Sequence, residues 1–360
     1  MNQAFIYTSA PVRVVFGSAM VHELRSEVER LHLQRVLVLS TPGQRALGVM
    51  AVDLLDTLNV GLHAYAVMHV PREVADAAVV AARELQADGL VAIGGGSTVG
   101  LAKAVALELG LPIIAIPTTY SGSEMTAIWG LTEAGVKRTG RDERVRPRTV
   151  IYDPELTLAL PATIAAPSGM NALAHCIEAL YAPDGNPITA LMAEEGIRAL
   201  ATSLPEVVRD PTDRAARSGA LYGAWLAGAA LGAANMGLHH KLCHTLGGSF
   251  NLPHAEVHTV ILPHAAAYNA TAAPEAFARA ARALGQPDVP GALFDLAQRI
   301  GAPTALSAIG MAEVDLDLAA DLATRNPYAN PAPVTRAGVR HLLAAAFHGE
   351  RPSVGQELSS

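Results

Sequence analysis

Cysteine is nearly absent from this sequence: Cys176 and Cys243 are the two among 360 residues. That excludes a disulfide-stapled secreted scaffold and suits a reducing compartment, so a cytoplasmic location is expected. Aromatic residues are also few, at 4%, and charged residues make up 16% against 51% hydrophobic ones. A chain so rich in apolar residues is not disordered, and its length allows two domains around a large core. Positive charge is not in excess. The formal net charge of -7 gives nucleic acid no electrostatic footprint, and no such partner is expected. The opening "MNQAFIYTSAPVRVVFG" lacks the basic start and apolar block of a secretory signal. One uncharged run, residues 219–238, is long enough to span a bilayer. Twelve of its twenty residues are Ala or Gly, however, and Asn235 lies near its end. A buried helix among closely approaching neighbours is expected there, with no membrane partner.

What is present begins with alternation. "RVLVLS" (35–40), "GLHAYAVM" (61–68), "GLVAIGGGS" (89–97) and "PIIAIPTT" (112–119) read as strands, and helical stretches such as "PREVADAAVVAARELQ" (71–86) lie between them. Strands alternating with helices imply a doubly wound, Rossmann-like parallel sheet. "EMTAIWGLTEAGVKRTGRD" breaks the pattern as a hairpin excursion around "EAG". From about residue 160 the strand signals stop and helical periodicity continues. The expected architecture is therefore α/β plus all-α: an N-terminal dinucleotide-binding domain over 1–158 and a C-terminal helical bundle over 159–360. The tail "RPSVGQELSS" is expected to fray.

Gly94, Gly95, Gly96 and Ser97 follow a strand and open a helix. Glycines there let backbone approach a pyrophosphate, and the helix N-terminus offers unpaired N–H donors. The spacing is not G-x-G-x-x-G, and a tight turn alone also uses glycine. "PTTYSGSEMT" (117–126) adds Thr118, Thr119, Tyr120, Ser121 and Ser123, a run of hydroxyls ending a neighbouring strand. Two such loops at the carboxyl ends of one sheet favour a dinucleotide, with Tyr120 and Ser123 assigned to substrate. The loop after the second strand, Ser40, Thr41, Pro42, Gly43 and Gln44, carries no acid to exclude a 2′-phosphate. Ser40 is taken as a cofactor contact, and both NADH and NADPH are expected to be accepted.

Thirteen histidines are present, and residues 239–258 hold five of them. Asn171 and His175 are one helical turn apart, as are His240 and His244, with His254 ten residues further on and His258 after it. Zinc, iron and nickel all accept imidazole, so a metal or a chemical site is implied. Cys176 and Cys243 are expected to face the core.

"GGGS", "PTTYSGSEMT", "DPELTLALP", "GMNALAHCIEALYA" and "HHKLCHTLGGSFNLPHAEVHTVILPH" together resemble, in order, the motifs of iron-containing alcohol dehydrogenases. The resemblance implies that family's two-domain fold, its active site in the cleft between the domains, and a homodimer. It also implies that Asn171, His175, His240 and His254 occupy positions where the family binds metal through an Asp and three His, with His244 near the substrate. Asn171 is the departure. It resembles one branch, the maleylacetate reductases, as do "LSTPGQ" and "VKRTGRD". That branch reduces the conjugated double bond of maleylacetate to 3-oxoadipate with NADH or NADPH in aromatic-compound degradation, without a bound metal.

The branch implies a small dicarboxylate substrate, with His244, His240, His175 and His254 around it. His244 or His240 is the expected proton donor, and Asn171 binds a substrate oxygen or orients His175. Lys241 is the candidate carboxylate partner, and the basic run 137–148 is read as a solvated face. Lys103 either faces cofactor phosphates or solvent. Two other readings stand beside this one: a metal-dependent alcohol dehydrogenase of the same fold, and a dinucleotide-binding protein without catalysis.

Overall fold

The computed structural model describes residues 5, 7–133 and 136–353. Ser9–Leu160 forms one compact unit and the chain from Pro161 onward a second. The expected frayed tail falls from residue 354 outside the described residues, as do Ala134 and Gly135 of the expected hairpin turn.

The first unit is built from β1 (Arg13–Phe16), α1 (Leu24–Arg30), β2 (Val36–Leu39), α2 (Arg45–Leu55), β3 (Asn59–His63), α3 (Arg72–Glu84), β4 (Gly89–Gly94), α4 (Gly96–Leu109) and β5 (Ile113–Pro117). The antiparallel hairpin β6 (Ile128–Glu133) and β7 (Val136–Arg141) follows, and then β8 (Thr149–Tyr152). Six strands form one parallel sheet in the order β1-β8-β5-β4-β2-β3. Alternate residues of the central strands feed two different cores. Leu37, Leu39, Leu90 and Ala92 join α3 and α4 residues, whereas Val36, Val38, Val91 and Ile93 join α1 and α2 residues. Burial on both faces explains why these strands read as unbroken apolar runs.

The edge strand β3 ends at His63, short of the expected 68; beyond it the ladder continues only as Ala66 N–H donating to Ser40 O at 3.0 Å. Strands β1 and β8 lay outside the expected set. Each has four residues, β1 is half-exposed, and β8 is reached through the hairpin rather than a crossover helix. Their periodic signal is correspondingly weak. The strand order reverses between β2 and β4, which puts the loops after these two strands side by side.

The second unit is helical: α5 (Ala162–Tyr181), α6 (Pro187–Arg209), α7 (Arg214–Ala233), α8 (Leu238–Phe250), α9 (His254–Ala270), α10 (Pro274–Leu284), α11 (Val289–Arg299), α12 (Leu316–Thr324) and α13 (Arg336–His348). Asn186 caps α6 through the N–H groups of Ile188 and Thr189, and Asp213 caps α7 through that of Ala216. Small residues set the spacing of α5, α6 and α7. A Cβ on Gly223 would stand 2.7 Å from Leu200 Cγ, and one on Gly196 would stand 2.7 Å from Cys176 Sγ. The uncharged run 219–238 thus packs as α7 and the start of α8, and no described helix is long and apolar enough to cross a membrane.

Candidate active site

In the α/β unit the glycine loop is held by its neighbours. Gly94 has φ +152°, and a Cβ there would lie 2.3 Å from Thr98 Oγ1 and 2.9 Å from Gln44 Oε1. Only glycine fits, because both the backbone angle and the space exclude a side chain. Gln44 donates from Nε2 to Thr118 Oγ1 at 2.8 Å, tying the loop after β2 to the loop after β5. Helix α4 starts at Gly96 with no side-chain cap from Gly95, so its leading N–H groups suit an anion.

The hydroxyl loop is shaped from below. Lys103 is 1% exposed, and its ammonium donates to Ser123 O (2.7 Å), Ser123 Oγ (3.2 Å), Thr126 Oγ1 (2.9 Å) and Ile128 O (2.7 Å). Burial pulls its pKa down to about 7, against the opposing pull of the Glu124 charge. Glu124, itself buried, accepts from Tyr152 OH at 2.8 Å. Lys103 therefore faces neither solvent nor a phosphate position but anchors residues 123–128.

In the helical unit Asn171, His175 and Glu178 share one face of α5 at spacings of four and three, in a helix otherwise lined by Ala, Leu and Ile. Glu178 is fully buried and accepts from the backbone N–H groups of Gly237 (3.1 Å), His239 (2.9 Å) and His240 (3.3 Å). The same carboxylate lies 2.6 Å from His240 Nδ1. Gly237 has no side chain with which to cap α8, so Glu178 does this from α5, while Asn330 Oδ1 accepts from Leu238 N–H at 3.4 Å. A carboxylate is favourable there, because a helix N-terminus carries partial positive charge.

Around this anchor the imidazoles cluster. His175 stacks on His240 with ring centroids 5.2 Å apart, His240 and His258 stand at 4.9 Å, His254 and His258 at 4.4 Å, and His240 and His244 at 6.2 Å. His239 Nε2 lies 3.0 Å from His258 Nδ1, and Cys243 Sγ is 3.5 Å from His239 Nε2. Burial, reinforced by the neighbouring imidazoles, holds His175, His239 and His258 well below the usual histidine range, so they are neutral. Burial pushes the Cys243 thiol up, with the Glu178 charge adding to the effect, so it stays protonated. Asn171 Oδ1, His175 Nδ1 and His240 Nε2 are buried without a hydrogen-bond partner among the described residues. Buried polar atoms left open in this way await a polar ligand.

The profile of "Iron-containing alcohol dehydrogenase" matches residues 11–154, and that of "Fe-containing alcohol dehydrogenase family, C-terminal" matches residues 165–347. The chain belongs to the iron-containing alcohol dehydrogenase family. A maleylacetate reductase from Burkholderia cepacia is 57% identical over 97% of this chain and 99% of that protein. Among solved structures, a putative alcohol dehydrogenase from Ralstonia eutropha JMP134 has a TM-score of 0.96 at 60% identity, covering 98% of this chain and 100% of that one. Maleylacetate reductase from Rhizobium sp. strain MTP-10005 has a TM-score of 0.94 at 51% identity, covering 97% and 100%. More distantly, a sulfoacetaldehyde reductase from Bifidobacterium kashiwanohense, solved with NAD+, has a TM-score of 0.88 at 25% identity, covering 96% and 99%. The protein is an oxidoreductase of this family.

For the family's metal, the donors at the corresponding positions are a neutral amide and three imidazoles: Asn171, His175, His240 and His254. Three imidazoles are a set that zinc and iron accept, so the residues fit a metal; with an amide in place of the carboxylate, no ligand charge offsets a divalent ion, and the hold is weaker. Among the described residues, the group whose donor atoms all lie within 4.8 Å of one another is His239, Cys243 and His258, which includes none of the corresponding residues. Its short contacts are those already made by the His239–His258 pair and the thiol.

The placement of the expected residues is mixed. His175, His240, His244, His254 and Asn171 lie on α5, α8 and α9, with the four imidazoles in one cluster. Gly94–Ser97, Thr118, Thr119 and Ser121 lie in the two adjoining loops, where Gly95 and Gly96 face Thr119 and Ser121. Ser40 is fully buried with its hydroxyl against Gly48, so it points into α2 rather than toward a ligand. Tyr120 is fully buried, and Ser123 gives its carbonyl and hydroxyl to Lys103. Lys241 on α8 is half-buried. Both cysteines face the core as expected: Cys176 lies against Gly196, and Cys243 is part of the apolar core of the helical unit while its Sγ also meets His239.

In the basic run, Arg138, Arg144 and Arg146 are taken up by Glu133, Asp142 and Glu143. The side chain of Lys137 lies outside the described residues. Glu178, His239 and His258 were not given roles from sequence. Glu178 carried a signal, because it extends the Asn171–His175 spacing by one more turn of the same face.

Proposed function

We propose that this protein is a maleylacetate reductase that uses a nicotinamide cofactor, NADH or NADPH, and needs no metal. The observation carrying this reading is Asn171. It stands among the family's histidines where a ligating carboxylate is required, and the relatives most like this chain include maleylacetate reductases along nearly their whole length. Gly94–Ser97 with Thr118, Thr119 and Ser121 would hold the dinucleotide, with its pyrophosphate at the N-terminus of α4. When bound, the nicotinamide supplies the hydride that adds to the alkene carbon β to the ketone. Charge then develops on the ketone oxygen, and histidine N–H groups preorganised at that oxygen lower the barrier. A proton from the cluster reaches the α carbon and completes 3-oxoadipate. His175, His240, His244 and His254 surround the reacting carbons in this reading. Asn171 binds a substrate oxygen through its amide N–H or orients His175, and Lys241 pairs with one of the substrate carboxylates. The working form in this reading is a homodimer.

The test follows NADH and NADPH absorbance with maleylacetate and then with simple aldehydes, alongside metal analysis of protein purified without chelator. Maleylacetate-dependent oxidation that survives chelation is expected. Turnover of aldehydes alone, by protein that carries near-stoichiometric iron or zinc and loses activity on chelation, would replace this reading with a metal-dependent alcohol dehydrogenase. Asn171→Asp is expected to gain metal affinity and to lose reduction of the diacid.

A further inference from the structure

Four hydrogen-bonding contacts of Glu178 meet the first turn of α8, and one of them is to a side chain. That contact, 2.6 Å to His240 Nδ1, commits one nitrogen of the ring. The other, Nε2, is buried and has no partner among the described residues. The ring is held flat against His175 at 5.2 Å and edge-on to His258 at 4.9 Å, so neither rotation nor exchange of its nitrogens is free. The backbone contacts fix the carboxylate itself. An oxygen accepting two or three N–H groups from a helix start cannot swing away without leaving those donors unpaired in a buried place.

We infer that Glu178 is a positioning residue for the reduction: it holds the Nδ1 proton of His240 and thereby presents Nε2 of His240 to the reacting centre. This rests on the maleylacetate reductase reading for its catalytic half, while the choice of nitrogen rests on geometry alone. A carboxylate behind one imidazole nitrogen sets both the tautomer and the direction of the other, as in any orienting acid–histidine pair. Glu178 touches no substrate in this arrangement and acts only through His240.

The experiment has two arms. In the first, ligand-free protein carrying 15N-labelled histidine is observed by NMR. A strongly downfield proton on His240 Nδ1 is expected in the wild type and is expected to vanish in Glu178→Gln. Its presence on Nε2 in the wild type would overturn the inference. In the second, Glu178→Gln is expected to lower kcat for maleylacetate by about 100-fold or more, with KM and the Kd for NADH held within about threefold. Glu178→Asp keeps the charge and should recover part of that loss; it also serves if the glutamine variant does not fold. A Glu178→Gln kcat within threefold of wild type, or an equal loss of NADH binding, would reduce Glu178 to a helix cap. The first arm needs no substrate. A wild-type protein inactive on maleylacetate would therefore defeat the reductase reading while the spectrum still decided the Glu178–His240 arrangement.

Discussion

The polar groups of the two units are treated in opposite ways. In the α/β unit they mostly satisfy one another: Gln44 holds Thr118, and Lys103 is surrounded by Ser123, Thr126 and Ile128 oxygens. What that unit offers a ligand is chiefly backbone, at Gly94–Gly96 and the start of α4. In the helical unit Asn171 Oδ1, His175 Nδ1 and His240 Nε2 lie buried and open among the described residues. Open buried atoms of this kind cost stability, on the order of 1–3 kcal/mol each, unless a ligand completes them. The α/β unit leaves Ser40 Oγ, His63 Nε2 and Thr98 Oγ1 buried and open as well, but it braces its loops with these hydrogen bonds, whereas the helical unit gathers its open atoms in one histidine cluster. Substitutions in the helical unit should therefore act on turnover, and substitutions in the α/β loops on cofactor affinity and stability.

The sharpest way to break this contrast is His240→Asn. Loss of the ring should cut kcat for maleylacetate by about 10²–10⁴-fold, the usual range for a positioned acid or base. NADH affinity, read by fluorescence titration, should stay within a few-fold. A matching loss of NADH binding would mean that the cluster also builds the cofactor site, and the contrast would fail.

Acid should separate the units next. His264 is 3% exposed, and burial brings it from 6.5 to about 4; His175, His239 and His258 are lowered in the same direction. All four belong to the helical unit. Their folded forms resist protonation, so below about pH 6.5 the unfolded chain binds more protons and stability falls as pH falls. No such loss is expected above 6.5, where both states are neutral. The window for His264 runs from 6.5 down to about 4, at roughly 1.4 kcal/mol per pH unit once fully developed. Hydrogen exchange at pH 5 should show α5, α8 and α9 opening before β4 and β5. Simultaneous opening would argue against a localised origin.

These two predictions depend on features of unequal legibility. The parallel sheet was readable because β2, β4 and β5 are buried on both faces and carry apolar runs dominated by Val, Ile, Leu and Ala. Strands β1 and β8 were not, since β1 is half-exposed and β8 is reached through the hairpin rather than a crossover helix. Asn171, His175, His240, His244 and His254 were readable from one-turn spacing together with family resemblance. Glu178 was missed because a lone acid on an apolar helix reads as exposed charge until the α8 N-terminus is brought against it. Ser40 and Lys103 failed for the converse reason. Each sits at the right sequence position for a ligand, yet packing turns one toward Gly48 and the other beneath its own loop.

A smaller effect is expected at Gly94, where φ is +152° and a Cβ would meet Thr98 Oγ1 at 2.3 Å. Gly94→Ala should cost about 1–3 kcal/mol of stability through backbone strain and crowding. It should also weaken NADH binding, while kcat at saturating cofactor changes little. An unchanged denaturation midpoint would mean that the loop relaxes freely, and that the α/β unit is less firmly braced than its hydrogen bonds suggest.

The smallest expected effect tests the same idea at one bond. Gln44→Ala removes the 2.8 Å contact to Thr118 and leaves a threonine hydroxyl that is 1% exposed. A neutral hydrogen bond of this kind contributes about 0.5–1.5 kcal/mol, so a drop of a few degrees in Tm is expected. The loops after β2 and β5 lose their link across the end of β4, and the cofactor Kd should rise a few-fold. If the histidine cluster is independent of this brace, kcat should be unaffected. A fall in kcat with no change in Kd would show instead that Gln44 orients the bound nicotinamide for hydride transfer, which would give the α/β loops a part in turnover.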